Sequence, residues 1–361
     1  MRNVSLRRIG YADIPGGGQV LVENGLCFVG HMEPPLGTSI LDVSDPTQPK
    51  IIAQLDVPKN THSHKVRVHE NIMLVNNEAH PNGSVGHARG FRIFDIVKPE
   101  RPREISFYAT GPRGVHRFGF DGRYAYLSTE MEGYQGNMMV NVDLADPLRP
   151  REVSRWWVPG QWFAGGETPT PPTRHNRRQV HHPLRFGNDL YVGCCNAGLA
   201  VVDVTDVSKP RTIANHPAVG LFCHTVLPAG SGAKANKYVV AVDEGWWDQE
   251  GGVTCYDFSD HATLKLVGRY DLPHGDGNRI WAAHQPHEEV VDDLLFVAWF
   301  GHGLRVLDVA DPSNPMEVAT FMPEERSDAG VMSNDVFVDI KNGLVYLIDR
   351  ERGLDILELK A

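Results

Sequence analysis

Cysteine is scarce in this chain. The five present, Cys27, Cys194, Cys195, Cys223 and Cys255, are odd in number and lack framework spacing. That excludes a disulfide-stapled scaffold and predicts a reducing, cytoplasmic setting, with the neighbours Cys194 and Cys195 as buried strand thiols. Long hydrophobic runs are missing too, which argues against a membrane partner. Arg2, Arg7 and Arg8 are followed by Gly10, Asp13 and Pro15 rather than an apolar stretch, so no secretory leader is expected. Positive charge is in deficit: the formal net charge is −10, and the cluster Arg174, Arg177 and Arg178 is too local to make a basic stripe. Nucleic acid is therefore not an expected partner. There is no Gly-x-Ser-x-Gly elbow, and Gly16-Gly17-Gly18 leads into a strand rather than a phosphate-binding helix.

What the chain does have is a repeat. Leu41-Asp42-Val43-Ser44-Asp45-Pro46 recurs as Phe94-Asp95-Ile96, Val142-Asp143-Leu144-Ala145-Asp146-Pro147, Val202-Asp203-Val204-Thr205-Asp206, Tyr256-Asp257-Phe258-Ser259-Asp260, Leu307-Asp308-Val309-Ala310-Asp311-Pro312 and a worn Leu357-Glu358-Leu359. An interval of roughly 50 residues in a β-rich chain points to propeller blades or another closed array. Each unit reads as four short strands, with apolar alternation broken by turn residues. The last unit runs out of chain after its third strand, whereas residues 4–9 resemble a fourth strand; the N-terminal strand is expected to complete the last blade and remove two free sheet edges. The fold class predicted is all-β: one domain over residues 1–361, a seven-bladed β-propeller of four-stranded antiparallel blades. The repeat resembles the LVIVD type, a likeness that speaks to fold and licenses no activity.

In a propeller the first position of every innermost strand lies at the channel mouth. Here those positions read Gln19, His64, His116, His182, His224, His287 and Asn334, with His62, His181 and His284 nearby; His181 is an alternative to His182, and His284 to His287. Imidazoles converging without carboxylates suit Fe, Cu, Zn or Ni and make a poor cage for Ca or Mg. The expected metal ligands are three or four of His64, His116, His182, His224 and His287. Glu78, Glu130 and Glu244, in loops opening on the same end, are placed to accept the second ring N–H or to transfer protons. Trp246, Trp281, Trp299 and His302 are expected to wall a pocket for a small apolar or aromatic molecule. One Pro- and Gly-rich insertion, residues 159–180, breaks the blade rhythm on the histidine face and reads as a lid or a homo-oligomer arm.

An all-histidine metal centre in a propeller is similar in architecture to the carotenoid-cleavage oxygenases and to the selenium-binding and methanethiol oxidase propellers. The resemblance implies an oxidase or oxygenase with a transition metal, Fe or Cu before Zn or Mn. Metal-dependent hydrolase, hydratase or lyase chemistry through a metal-bound water is the alternative, and a non-catalytic binding platform the third reading.

Overall fold

The Asp of each repeat copy closes a turn. Asp42 Oδ1 accepts the Ser44 N–H (3.0 Å), Asp203 Oδ1 that of Thr205 (2.8 Å) and Asp308 Oδ1 that of Ala310 (2.9 Å). The second acid of the motif does the same three residues on, Asp45 to Thr47 at 3.0 Å and Asp206 to Ser208 at 3.0 Å. Side chains that mimic a backbone turn fix the link between third and fourth strands. The repeat signature is turn chemistry.

The computed structural model describes residues 4–79, 88–173, 176–217, 222–230, 237–245, 251–275, 279–326 and 328–360. Among these residues the strands form seven antiparallel units: blade 1 (17–56), blade 2 (61–109), blade 3 (115–156), blade 4 (178–216), blade 5 (223–270), blade 6 (283–321) and blade 7 (333–360 with 5–12). Blades 4 and 5 are joined at one bridge, Cys195 to Cys223. Ser5–Ala12 pairs antiparallel with Gly353–Lys360, so the N-terminal strand does complete the last blade. Each innermost strand touches the next, and that of blade 7 touches that of blade 1, which closes the ring into a β-propeller. No helix among the described residues is long and apolar enough to cross a membrane.

The core lies between blades. Cys27, Val29 and Leu41 of blade 1, for example, pack on Tyr346, Ile348 and Ile356 of blade 7. All five cysteines are buried. Trp299 belongs to this interblade core and not to a pocket wall: it is 0% exposed, packs among Leu227, Val240, Val242 and Leu295, and meets Tyr270 edge-on at 5.9 Å. Alternation along Leu294–Trp299 sends the indole between the sheets. Trp299→Ala is expected to cost about 3–5 kcal/mol in denaturant unfolding through the cavity it leaves. Ligand binding at the channel mouth should survive it.

Candidate metal centre

Each innermost strand enters the channel with an irregularity, and the irregularity decides which side chain reaches the mouth. In blade 3 Val115 pairs Thr129 and Arg117 pairs Ser128, so His116 is bulged out of register. The same bulge falls on Gly18, His224, His284 and Asn334 in blades 1, 5, 6 and 7. In blade 4 the irregular stretch ends at His181, just before His182 rejoins the ladder opposite Gly193; in blade 2 the strand breaks around His64. A bulge re-aims a side chain that strict alternation would send elsewhere. Backbone crowding fixes the arrangement: a Cβ on Gly18 would lie 2.7 Å from His64 Cβ, and one on Gly193 2.4 Å from the His224 carbonyl oxygen.

The mouth residues are therefore Gly18, His64, His116, His181, His224, His284 and Asn334. His64, His116 and His224 stand where the sequence places them. His182 does not; it lies one layer deeper, with Nδ1 against the Thr225 hydroxyl (3.1 Å) and Nε2 3.3 Å from Glu288. His287 lies in a separate cavity farther along the channel, where Nδ1 accepts the Val338 N–H (3.3 Å) and ties blade 6 to blade 7. That is a structural histidine.

Six histidines, His62, His64, His116, His181, His224 and His284, line one cavity of about 390 Å³. Successive ring centroids are 3.9, 5.2, 5.0, 4.3 and 4.6 Å apart. Burial keeps five of these rings neutral: His62 is pushed down to about 4, and burial together with neighbouring positive charge holds His64, His181, His224 and His284 well below the usual range. Two carboxylates join them. Ligand atoms of His62, His64 and Glu78 lie within 4.8 Å of one another, as do those of His181, His224 and Glu244. Burial raises the proton affinity of Glu244, whereas at Glu78 burial is outweighed by His116, His62 and Arg113 and the carboxyl falls below its ordinary value.

The hydrogen bonds fix the tautomers. His116 Nδ1 donates to Glu78 Oε2 (2.8 Å), His181 Nδ1 to the His224 carbonyl (3.1 Å), His284 Nδ1 to the Asn334 carbonyl, and His62 Nδ1 to the Met32 carbonyl (2.7 Å). Carbonyl and carboxylate oxygens only accept, so each of these rings has a proton on Nδ1, and the neutral rings of His62, His181 and His284 keep their lone pair on Nε2. The Nε2 atoms of His116 and His181 are 3.1 Å apart. Two ring nitrogens at that distance share either a proton or a metal ion. Metal–nitrogen bonds of about 2.0–2.1 Å place adjacent ligand nitrogens about 3.0–3.4 Å apart, so the donor pair fits a transition metal. His224 differs: its Nε2 accepts from Arg117 (2.8 Å) and its Nδ1 meets the Thr225 hydroxyl (2.8 Å).

Beneath the mouth the next residue of each blade forms a buried polar floor, Gln19, Lys65, Arg117, His182, Thr225, Gln285 and Asp335. Arg117 bonds Gln285 (2.7 Å), Lys65 donates to the Gly18 carbonyl (3.2 Å), and Asp335 accepts the Val20 N–H (3.2 Å). Burial lowers Arg117 to about 10, still a cation at neutral pH, and lowers Lys65 far below its usual value. Sequence reasoning missed Lys65 and Arg117, although each directly follows a mouth histidine.

The remaining expected residues are scattered. Glu130 is half-buried beside Arg113 but outside the cavity wall. Trp281 and His302 pack on each other at 5.0 Å, with His302 Nε2 donating to the Pro273 carbonyl (3.0 Å), also outside it. Trp246 lies outside the described residues. The aromatic contacts to the histidines come instead from Phe222, edge-on to His181 at 5.7 Å, and Phe300, stacked on His284 at 4.5 Å. Within 159–180, Gln161 is pinned to the Gln135 and Asn137 carbonyls (both 2.8 Å), and Arg177 and Gln179 reach the cavity.

Comparison with known proteins speaks to the fold. The LVIVD repeat family matches residues 186–215 and 289–322. No curated protein sequence matches the chain. Among solved structures, the C-terminal WD40 domain of Sif2 is similar at TM-score 0.62 and 11% identity, over 99% of each chain. The periplasmic gluconolactonase PpgL of Pseudomonas aeruginosa is similar at TM-score 0.64 and 12% identity, over 96% of this chain and 89% of that one. The Cps50 (Swd1) propeller domain of Myceliophteria thermophila gives 0.60 and 11%, over 98% and 99%. At such identities the likeness is one of architecture, and with the repeat match it identifies the chain as a β-propeller carrying LVIVD repeats.

Proposed function

We propose that this propeller is a metal-dependent enzyme whose histidine-ligated transition metal works at the channel mouth as an oxidase or oxygenase on a small molecule. The observation that carries the reading is the His116–His181 pair, two Nε2 atoms 3.1 Å apart with both Nδ1 protons tied off. His62, His64 and Glu78 on one side, and His284 and Glu244 on the other, supply further donors. Two histidines with one carboxylate is the donor set of non-haem iron oxygenases, and Fe or Cu bound there would supply O₂ chemistry. Around it this chain's own residues orient and exclude. Glu78 and the His224 and Asn334 carbonyls hold three rings, and Phe222 and Phe300 keep water from two of them.

One observation favours hydrolase, hydratase or lyase chemistry as the second reading. The buried Glu244 carboxyl, of raised proton affinity, lies 4.0 Å from both His224 Nε2 and His284 Nε2, where it can carry a proton. Elemental analysis, visible and spin-resonance spectra and O₂ uptake of the purified protein separate the two. Close to one iron or copper per chain with a spectral signature is the expected result; bound zinc in a colourless protein moves the assignment to the second reading. A protein that takes up no stoichiometric metal on reconstitution sinks both.

A further inference from the structure

The cavity carries charge opposite to that of the chain. Against a formal net charge of −10, its wall gathers Arg113, Arg117, Arg177 and Arg350 around three carboxylates, Glu33, Glu78 and Glu244. Several of these cations have donors to spare. Arg350 gives Nε to Asn334 Oδ1 (2.6 Å) and lies 5.1 Å over the Phe300 ring, and its terminal nitrogens make no hydrogen bond among the described residues. Arg117, 2% exposed, has a buried Nε without a partner. Arg177 enters from the end of the insertion, and its guanidinium makes no ion pair or hydrogen bond among the described residues. Guanidinium groups with free N–H donors, at the rim and wall of one recess in an otherwise acidic molecule, attract and orient an oxyanion.

We infer that the substrate is a small organic anion whose carboxylate or comparable acidic group is held by Arg177 and Arg350, with its reacting end toward the histidine arc. The inference replaces the apolar ligand expected from the tryptophans, because the wall around the histidines is basic and, besides the histidines themselves, Phe222 is the one aromatic side chain among its described lining residues. It rests on the metal-centre reading for the chemistry that follows binding, but not for binding itself. A cavity of about 390 Å³ admits a molecule of metabolite size.

The test is calorimetric titration of malonate and its neutral diamide, malonamide, into metal-free and metal-loaded protein, with Arg177→Gln and Arg350→Gln alongside. Malonate should bind both forms of the protein and malonamide neither. Each arginine variant should weaken malonate by about tenfold or more, the loss of a charge-assisted hydrogen bond, while its metal content stays at the wild-type level. Arg177 is exposed, so Arg177→Gln probes binding without a folding penalty. Equal binding of malonamide, or malonate affinity indifferent to both substitutions, overturns the inference. If the protein takes up no metal, the metal-free titration still decides the anion site by itself.

Discussion

His181→Ala lowers the affinity for Fe(II) or Zn(II) by at least about 100-fold, and His182→Ala leaves it nearly unchanged; this is the contrast expected from the bulged register. Losing even an orienting partner of a metal-ligating histidine costs about 10–100-fold, so losing the ligand costs more. The two residues are adjacent, yet His181 presents Nε2 to His116 Nε2 at 3.1 Å while His182 points Nε2 at Glu288. Glu78→Gln tests the orientation independently. The amide can still accept from His116 Nδ1 but carries no charge, so a loss of about 10-fold is expected, with Glu78→Ala losing more. Competition with a chromophoric chelator measures all four, and circular dichroism checks that each variant is folded. Equal losses at His181 and His182 would place the ion in the lower layer and remove the mouth site.

The architecture was written in the repeat because the same Asp-closed turn must form in each of blades 1 to 6, and a turn that depends on side-chain oxygens leaves a fixed mark in sequence. Closure by residues 5–12 was legible for a related reason, since a third strand without its partner demands one from elsewhere. The site was legible only in part. Counting residues along a regular strand finds His64, His116 and His224, but the irregular entry of blade 4 puts His181 rather than His182 at the mouth, and in blade 6 the bulge falls on His284, three residues before His287. Irregular strand entry also turns Lys65 and Arg117 into the channel, where strict alternation would have sent them into the interblade core. The tryptophans misled for the converse reason. They sit near strand ends at the correct end of the blade, but Trp299 obeys the pleat and enters the core, and Trp281 packs on His302.

Glu288→Ala is expected to destabilise the propeller by about 3–5 kcal/mol, the cost of leaving one member of a buried ion pair alone. Glu288 of blade 6 contacts the Arg67 guanidinium of blade 2 and lies 3.3 Å from His182 Nε2 of blade 4, and Arg67 in turn donates Nε to the Phe118 carbonyl of blade 3 (2.9 Å). One carboxylate thus ties together strands that are far apart in sequence. The side chains of Arg67 and Glu288 are only 10% and 27% exposed, so solvent screens the pair weakly. Burial by itself would raise the Glu288 pKa, but the Arg67 charge and the His182 contact overcome it and hold the carboxyl far below its ordinary 4.5. The sign follows: the native state keeps Glu288 ionised where the unfolded chain has begun to take up a proton. Its contribution is therefore complete above pH 4.5 and declines as the pH falls toward the native value. Urea unfolding of wild type and Glu288→Ala at pH 7 and pH 4 should show a gap that is wide at neutrality and narrower in acid. Glu288→Gln, which keeps an acceptor for Arg67 without the charge, should fall between them. A variant as stable as wild type at pH 7 would mean that the desolvation of the pair cancels its attraction, and that interblade packing alone holds these strands together.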